Sequence, residues 1–169
     1  MLLLIEKSYI ETFEIIKKQI QISQHKAILN ANKEMISLYW NIGKIIDTHS
    51  KWGNKFIDNL SKDIRNEFPS SKGFSSRNLK NMVRFYREYT DFEFVQTVAA
   101  QIPWSHNLEI LKINSKEERI WYINKTVENG WSKNILAHQI ETQLYIRQHE
   151  NTKISNFPQR LEETQSELA

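Results

Sequence analysis

Basic side chains are concentrated in one short stretch of this chain, residues 72–87. The stretch contains no acidic residue and five basic ones: Lys72, Arg77, Lys80, Arg84 and Arg87. Lysine and arginine neutralise phosphates, and arginine also forms paired hydrogen bonds with the edges of bases. The chemistry that such a stretch offers is the binding of a polyanion, and DNA is the polyanion it favours most.

Helical geometry places these charges on one side. At about 100° per residue, the four basic residues that follow Lys72 fall within an arc of roughly 80°, the cationic arc. Apolar residues of the same segment fall on the opposite side: Leu79, Met82, Val83 and Tyr86. The pattern predicts a helix with one packing face and one cationic face.

The elements around the cationic arc are predicted to be a helix over 55–67, a turn at 70–73 and a second helix from Ser75 or Ser76 to about Tyr89. Phe68 and Pro69 end the first helix, and a serine can cap the second. A short helix, a turn with glycine and a second helix with a basic outer face is the order of a helix-turn-helix unit.

In that unit, three kinds of contact with DNA are predicted. Ser75, Ser76 and the free amides at the helix start would hold a phosphate. Arg77 and Asn78 lie where base edges are usually contacted. Phosphates along the groove would be followed by Lys80, Arg84 and Arg87, with Lys72 in the turn adding its charge. The alternative is a solvated cationic face that binds no ligand.

The rest of the chain is predicted to be helical as well, so the fold class is all-α. Apolar residues at three- and four-residue spacing predict one long N-terminal helix, or two nearly collinear helices, up to about Thr48. Its predicted apolar stripe consists of Tyr9, Phe13, Ile16, Ile20, Ala27, Met35, Leu38, Ile42 and Ile45. Such a helix either folds back on its own domain or pairs with a helix of another chain, which makes a homo-oligomer possible.

Boundary residues predict a bundle of further helices after the basic one. Ile102, Pro103 and Trp104 interrupt the chain, and Ser115 with Glu118 forms a capping box. The predicted segments are Asp91–Gln101, Ser115–Asn129 with Gly130 as the stop, and a last helix from Trp131 and Ser132 that fades near Glu150.

Several functional classes have no support in the sequence. The 169 residues contain no cysteine, no HExxH, no glycine-rich phosphate loop and no GxSxG, so we expect no metal, no cofactor, no small-molecule substrate and no catalysis by this chain. The apolar start is too short for a signal core, and no run approaches the roughly 20 residues of a membrane span. We therefore expect a cytoplasmic protein that does not enter a membrane.

Several motifs resemble the N-terminal domain of the DUF1016 (YhcG-like) family, over roughly Ser37 to Arg147. They are, in order, Leu38-Tyr39-Trp40-Asn41-Ile42-Gly43, Trp52-Gly53, Phe68-Pro69, Gly73-Phe74-Ser75-Ser76-Arg77-Asn78-Leu79, Ile102-Pro103-Trp104-Ser105-His106, Trp121-Tyr122-Ile123 and Asn129-Gly130-Trp131-Ser132. In that family the second domain resembles PD-(D/E)xK nucleases, with a magnesium-type carboxylate site.

The resemblance implies a non-catalytic, DNA-binding half of a nuclease, with magnesium required only by the second domain. In agreement with this, the sequence has no Pro-Asp dipeptide and no Asp or Glu followed two residues later by Lys. We expect residues 1–50 to form a helical arm, residues 51–149 a DNA-binding helical domain, and residues 150–169 a linker toward the nuclease domain. An oligomerisation or protein-interaction module with an incidental basic face is the alternative function.

Overall fold

Helices make up the structure, a computed structural model that describes residues 1–49 and 54–155. Within these ranges no residue is in a strand, and the predicted all-α class, with a long N-terminal helix before a helical bundle, is confirmed. The helices are α1 Leu2–His49, α2 Asn54–Glu67, α3 Ser76–Glu88, α4 Phe92–Thr97, α5 Trp104–Ile110, α6 Lys116–Asn129, α7 Lys133–Glu141 and α8 Leu144–Ser155, with a 3₁₀ turn at Ala99–Gln101.

The chain divides into two compact units, Met1–Pro103 and Trp104–Ala169. The first contains α1 to α4 with the 3₁₀ turn, and the second begins with α5. The boundary coincides with the interruption predicted at Ile102 to Trp104, and it lies inside the range 51–149 that the sequence assigned to one domain. The functional division into arm, DNA-binding domain and linker stays a prediction.

The first unit is organised by the crossing of α1 and α3. A Cβ added to Gly43 would lie 2.1 Å from the carbonyl oxygen of Met82, so the two helix backbones touch at this point. Beside the crossing, the indole Nε1 of Trp40 donates a 2.6 Å hydrogen bond to the carbonyl of Tyr89, which follows the last residue of α3. Glycine is required where two backbones approach this closely.

The face of α1 that packs against its own unit is not the predicted apolar stripe. Its buried residues are Ile36, Tyr39, Trp40, Gly43 and Ile46. Leu38 and Ile45, which belong to the predicted stripe, are 48% and 58% exposed. Periodicity identifies an apolar stripe on a helix but not the element against which it packs. Here α1 packs through the face that carries Gly43, because only that face permits the close crossing.

The first half of α1 extends away from the body of its unit. Every residue from 1 to 31 is exposed, and α1 is one continuous helix rather than two nearly collinear ones. Contact with the body begins at Asn32, whose side-chain amide donates to the carbonyls of Ala100 and Ile102 at 2.8 and 3.0 Å. Residues 1–31 therefore form an exposed arm.

The predicted caps are confirmed. Ser75, Asp91, Ser115 and Ser132 each precede a helix and accept a hydrogen bond from a backbone amide of its first turn. Gly130 ends α6 in the left-handed conformation at φ 62°. Such caps satisfy amides and carbonyls that have no partner within the helix.

Other boundaries differ from the prediction. The helix that starts at Asp91 ends at Thr97, and only the short 3₁₀ turn follows it. The predicted last helix is two helices, because Gln143 adopts a left-handed φ of 55° between α7 and α8. Helix α5 was not predicted, and α8 continues to Ser155 rather than fading near Glu150. Of the predicted linker at residues 150–169, residues 150–155 belong to α8 and the rest lies outside the described residues, as do residues 50–53 before α2.

The second unit has a core of its own around α6. Tyr122 is fully buried, its hydroxyl donates to the carbonyl of Gln139 and accepts from the amide of Tyr145, and burial raises its pKa above the usual value. Arg119 is also buried and donates its Nε hydrogen to the carbonyl of Ile113. Tryptophan and tyrosine in this unit serve packing, as Trp121 does against Tyr145 at 5.4 Å between ring centroids.

Gly43→Ala should destabilise the protein by about 3 kcal/mol, because the new methyl group forces α1 and α3 apart at a backbone contact. Denaturant unfolding followed by circular dichroism measures the loss. Gly130→Ala is the control: its Cβ would meet nothing within 4 Å, and only its φ of +62° is unfavourable, so it should lose about 1 kcal/mol. Equal losses for the two variants would contradict the close crossing.

Candidate nucleic-acid interface

Helix α3 has the two faces that its sequence predicts. Residues Arg77, Lys80, Arg84 and Arg87 of the cationic arc are all exposed. Leu79, Met82 and Val83 are buried as expected, whereas Tyr86 is only half-buried and lies against Trp40 with ring centroids 5.1 Å apart. The structure adds Phe85 to the packing face, fully buried and edge-on to Tyr89. Phe85 lies about 60° from Met82 on the helical wheel, outside the arc of the predicted packing face, and periodicity therefore missed it.

The start of α3 is capped by its own serine. Ser75 has extended backbone, and its hydroxyl accepts a 3.2 Å hydrogen bond from the amide of Asn78. Ser76 is the first helical residue and is partly exposed, while Lys72 is exposed in the turn before it. The two serines, Lys72 and Arg77 thus lie together at the N-terminal end of α3, where the helix dipole is positive.

The turn before α3 is held from three sides. Gly73 has φ +98°, and its carbonyl accepts a 2.6 Å hydrogen bond from the side-chain amide of Asn78 in α3. From α2, the buried hydroxyl of Ser61 donates to the carbonyl of Phe74 at 2.7 Å. From α1, the hydroxyl of Tyr39 lies 2.5 Å from where a Cβ of residue 73 would be. Burial raises the pKa of Tyr39, which keeps this hydroxyl neutral.

Asn78 consequently has a structural role that the sequence did not reveal. Its side chain braces the turn, and its position is about 100° around the helix from Arg77, outside the cationic arc and closer to the packing face. The predicted contact between Asn78 and a base edge stays a prediction. A local cue existed, because Asn side chains often hydrogen-bond to nearby backbone groups in turns.

Arg87 is paired with an acidic residue of α1. Its guanidinium Nη2 lies 2.7 Å from Oδ1 of Asp47, and its Nε donates to the same oxygen at 2.7 Å. The Arg87 side chain is still 62% exposed, so the pair is a solvated one with a small effect on stability. The cationic arc thus carries less net charge at its C-terminal end than the sequence alone indicates.

A shallow groove runs beside the cationic arc, between the end of α1 and α2. It has a volume of about 390 Å³, and its described lining consists of Ile46, Ile57, Lys80, Val83, Arg84, Arg87 and Glu88. The floor is aliphatic and the rim is mostly basic. Such a rim attracts an anionic ligand, whereas the aliphatic floor places no polar group that would bind a specific small molecule.

His106 and Glu109, whose side chains could serve in a metal site or in proton transfer, have structural partners. His106 is buried, and its Nε2 is 2.8 Å from the carbonyl of Trp131, an acceptor that requires this nitrogen to carry the hydrogen. Glu109 is paired with Lys112 at 2.7 Å on the surface of α5. Among residues 1–49 and 54–155, no three His, Asp or Glu side chains come together in a way that could hold a metal ion.

Comparison with known proteins gives the family. The model of the DUF1016 N-terminal domain matches residues 15–147. The chain belongs to this family. The DUF1016 match begins inside the exposed arm, and it includes α2, the turn, the whole of α3 and the motifs of the second unit.

One relative of this DUF1016 domain is "Putative nuclease YhcG" of Escherichia coli (strain K12). It is 25% identical over 158 residues, which are 72% of this chain and 42% of the relative. The chain therefore spans less than half of the length of that relative. No solved structure matches this chain. In the part of the DUF1016 chain that the structure describes, no helix is long and apolar enough to cross a membrane.

Asn78→Ala should lower the free energy of unfolding by about 1–2 kcal/mol, because it removes the donor to the Gly73 carbonyl. Arg77→Ala, at the exposed neighbouring position, should change stability by no more than about 0.5 kcal/mol. Thermal and denaturant unfolding of the two DUF1016 variants measure the difference. An Asn78→Ala variant as stable as the parent would show that the turn does not depend on this brace.

Proposed function

We propose that this DUF1016 domain binds duplex DNA through α3, with α2 and the turn at 68–75 acting as a helix-turn-helix-like unit. The observation that carries the proposal is the separation of faces on α3. Four basic side chains are exposed on one side, and the opposite side is buried against α1. A recognition helix needs this combination, because it must be rigidly supported on one face and cationic on the other.

The proposed DNA-binding residues would make different contacts with DNA according to their position on α3. Lys72, Ser75 and Ser76 surround the N-terminal end of α3, where backbone amides and the helix dipole favour a phosphate. Arg77 and Asn78 follow within the first turn, the part of a recognition helix that reaches base edges. Lys80, Arg84 and Arg87 would contact phosphates farther along the groove. Because Asn78 also braces the turn, contact with DNA would be sensitive to the geometry of Gly73.

The proposed biological role is that of a non-catalytic module associated with a nuclease. Support comes from the family and from the YhcG relative, a putative nuclease of which this chain spans 42%. In this proposal the module supplies affinity or target choice, and a magnesium-dependent carboxylate site in a separate domain cleaves. The absence of cysteine agrees with a reducing compartment, and we propose the cytoplasm.

Replacing Arg77, Lys80 and Arg84 together with glutamine should weaken binding to duplex DNA and flatten its salt dependence. Each lost phosphate contact removes about 0.9 from the slope of log K against log salt, so a loss of roughly two to three is expected. Fluorescence anisotropy with a labelled duplex over a series of salt concentrations measures both affinity and slope. Parallel titrations with single-stranded and branched DNA establish which form is preferred.

The matched control removes the same total charge elsewhere. Lys18, Lys26 and Lys33 are exposed on α1, and their replacement by glutamine also lowers the net charge by three. Binding through the cationic arc predicts a much smaller loss for this control. Equal losses would indicate diffuse electrostatic attraction, and no binding by the parent chain to any of the DNA forms would reject the proposal.

Asp47→Asn should strengthen DNA binding. The substitution removes the carboxylate that pairs with Arg87, which restores a full positive charge at the C-terminal end of the cationic arc. We expect affinity to rise a few-fold, about the effect of one additional phosphate contact, and the salt slope to steepen by up to about 0.9. Asp58→Asn, an exposed carboxylate of α2, is the comparison of equal charge change. A weaker interaction after Asp47→Asn would mean that Arg87 must be held by Asp47 to function.

A further inference from the structure

The exposed arm carries an apolar stripe that no described part of the chain covers. Its members lie within an arc of about 80° at 100° per residue. All are more than half exposed: Leu2, Ile5, Tyr9, Phe13, Ile16 and Ile20. Large apolar side chains aligned in this way mark an interaction surface, and helices obtain most of their stability from packing such a face.

The described body of the first unit does not cover this stripe. Gly43, Ile36 and Trp40 mark the face of α1 that packs against the body, and the stripe is centred about 160° around the helix from Gly43. Leu38 and Ile45 continue the stripe alongside the folded part of the unit, and both remain exposed there. Since α1 is one continuous helix, the stripe faces away from its own body along its whole length.

We propose that the stripe pairs with the same stripe of a second copy of this chain, in antiparallel orientation. The apolar positions are arranged symmetrically about residue 11. Reversing the helix places Leu2 opposite Ile20 of the second copy and Tyr9 opposite Phe13, while Ile16 faces the segment of Ile5 and Glu6. Nearly every large apolar side chain then meets another, as in the seam of a two-stranded helical pair.

The charges of the arm favour a second copy and select the antiparallel orientation. Residues 2–16 contain three acidic residues and one lysine, whereas residues 17–33 contain four lysines and no acidic residue. In the antiparallel register about residue 11 the two copies overlap over residues 2–20, so Lys17 of each copy lies toward Glu6 of the other, whereas Lys26 and Lys33 lie beyond the overlap. A parallel pair would place like charges together, which is unfavourable.

One pair of flanking charges makes the register specific. Glu6 and Lys17 lie on the same side of the stripe, about 20° apart around the helix, and their positions are nearly symmetric about residue 11. Antiparallel pairing therefore brings Glu6 of one copy beside Lys17 of the other, twice. Within one chain Lys17 is 3.8 Å from Glu14, an exposed ion pair that is readily exchanged for a new partner.

This pairing would hold two folded bodies far apart. From residue 11 to the middle of the packed part of α1 is about 30 residues, so the two bodies would lie roughly 90 Å apart at 1.5 Å per residue. That spacing is much larger than one turn of DNA, about 34 Å, which separates the half-sites of compact helix-turn-helix dimers. The pairing rests on residues other than the cationic arc and is independent of the proposed DNA binding.

Sedimentation of the whole chain over a range of concentrations tests the pairing. The parent should dimerise reversibly, and Ile16→Glu should raise the dimer dissociation constant by about tenfold or more, because it places a carboxylate in the seam. Ile15→Glu is the matched control, since Ile15 is adjacent, 65% exposed and outside the stripe. It should leave the constant nearly unchanged. A parent that stays monomeric, or equal effects of the two substitutions, would overturn the proposal.

Single cysteines then determine the orientation, because the parent chain has none. A mixture of the Leu2→Cys and Ile20→Cys variants should form a disulfide-linked dimer on oxidation, whereas each variant alone should not. Parallel pairing would instead crosslink each variant with itself and would overturn the antiparallel model. Glu6→Lys and Lys17→Glu should each weaken the dimer, and the double substitution should restore it. Circular dichroism of each variant verifies that the arm remains helical.

Discussion

The close contact of Gly43 with the backbone of Met82 is the constraint on which the first unit depends. Because α1 and α3 touch there, the indole of Trp40 reaches the carbonyl of Tyr89. Tyr39, one helical turn before Gly43, reaches the turn at Gly73. The contact therefore determines both where α3 lies and how the turn before it is closed. A larger residue at position 43 would change the whole arrangement rather than one local contact.

Two surfaces of different chemistry follow from this crossing. Packing of one side of α3 against α1 leaves the cationic arc outward, and packing of one side of α1 against α3 leaves the apolar stripe outward. The first surface suits a polyanion and the second suits an apolar helix. They lie on different helices and can be changed separately, so the proposed DNA binding and the proposed self-association of this DUF1016 domain can be tested independently.

The structure also assigns several side chains to contacts within the fold. Asn78 braces a turn, Arg87 pairs with Asp47, and His106 donates to a backbone carbonyl within the second unit. Each of these side chains has a chemistry suited to binding or catalysis, and each has a partner within the fold. The cationic arc retains exposed Arg77, Lys80 and Arg84.

The sequence by itself determined the all-α class, the positions of the serine and aspartate caps, the stop at Gly130 and the two faces of α3. All of these depend on interactions within a few residues, such as a hydroxyl accepting from an amide three residues later or a side-chain repeat of 3.6 residues. For the same reason the family motifs can be recognised from the sequence alone.

Only the tertiary structure decided which face of α1 packs, which side chains brace the turn and which charge of α3 is partly neutralised. Gly43 meets Met82 and Asp47 meets Arg87 across about 40 residues of sequence, and no local periodicity encodes such a pairing. The apolar stripe was visible in the sequence, but its outward orientation was not. That orientation depends on the close contact of Gly43 with the backbone of Met82. A pattern of apolar residues along a helix does not reveal such a contact, because glycine has no side chain that contributes to the pattern.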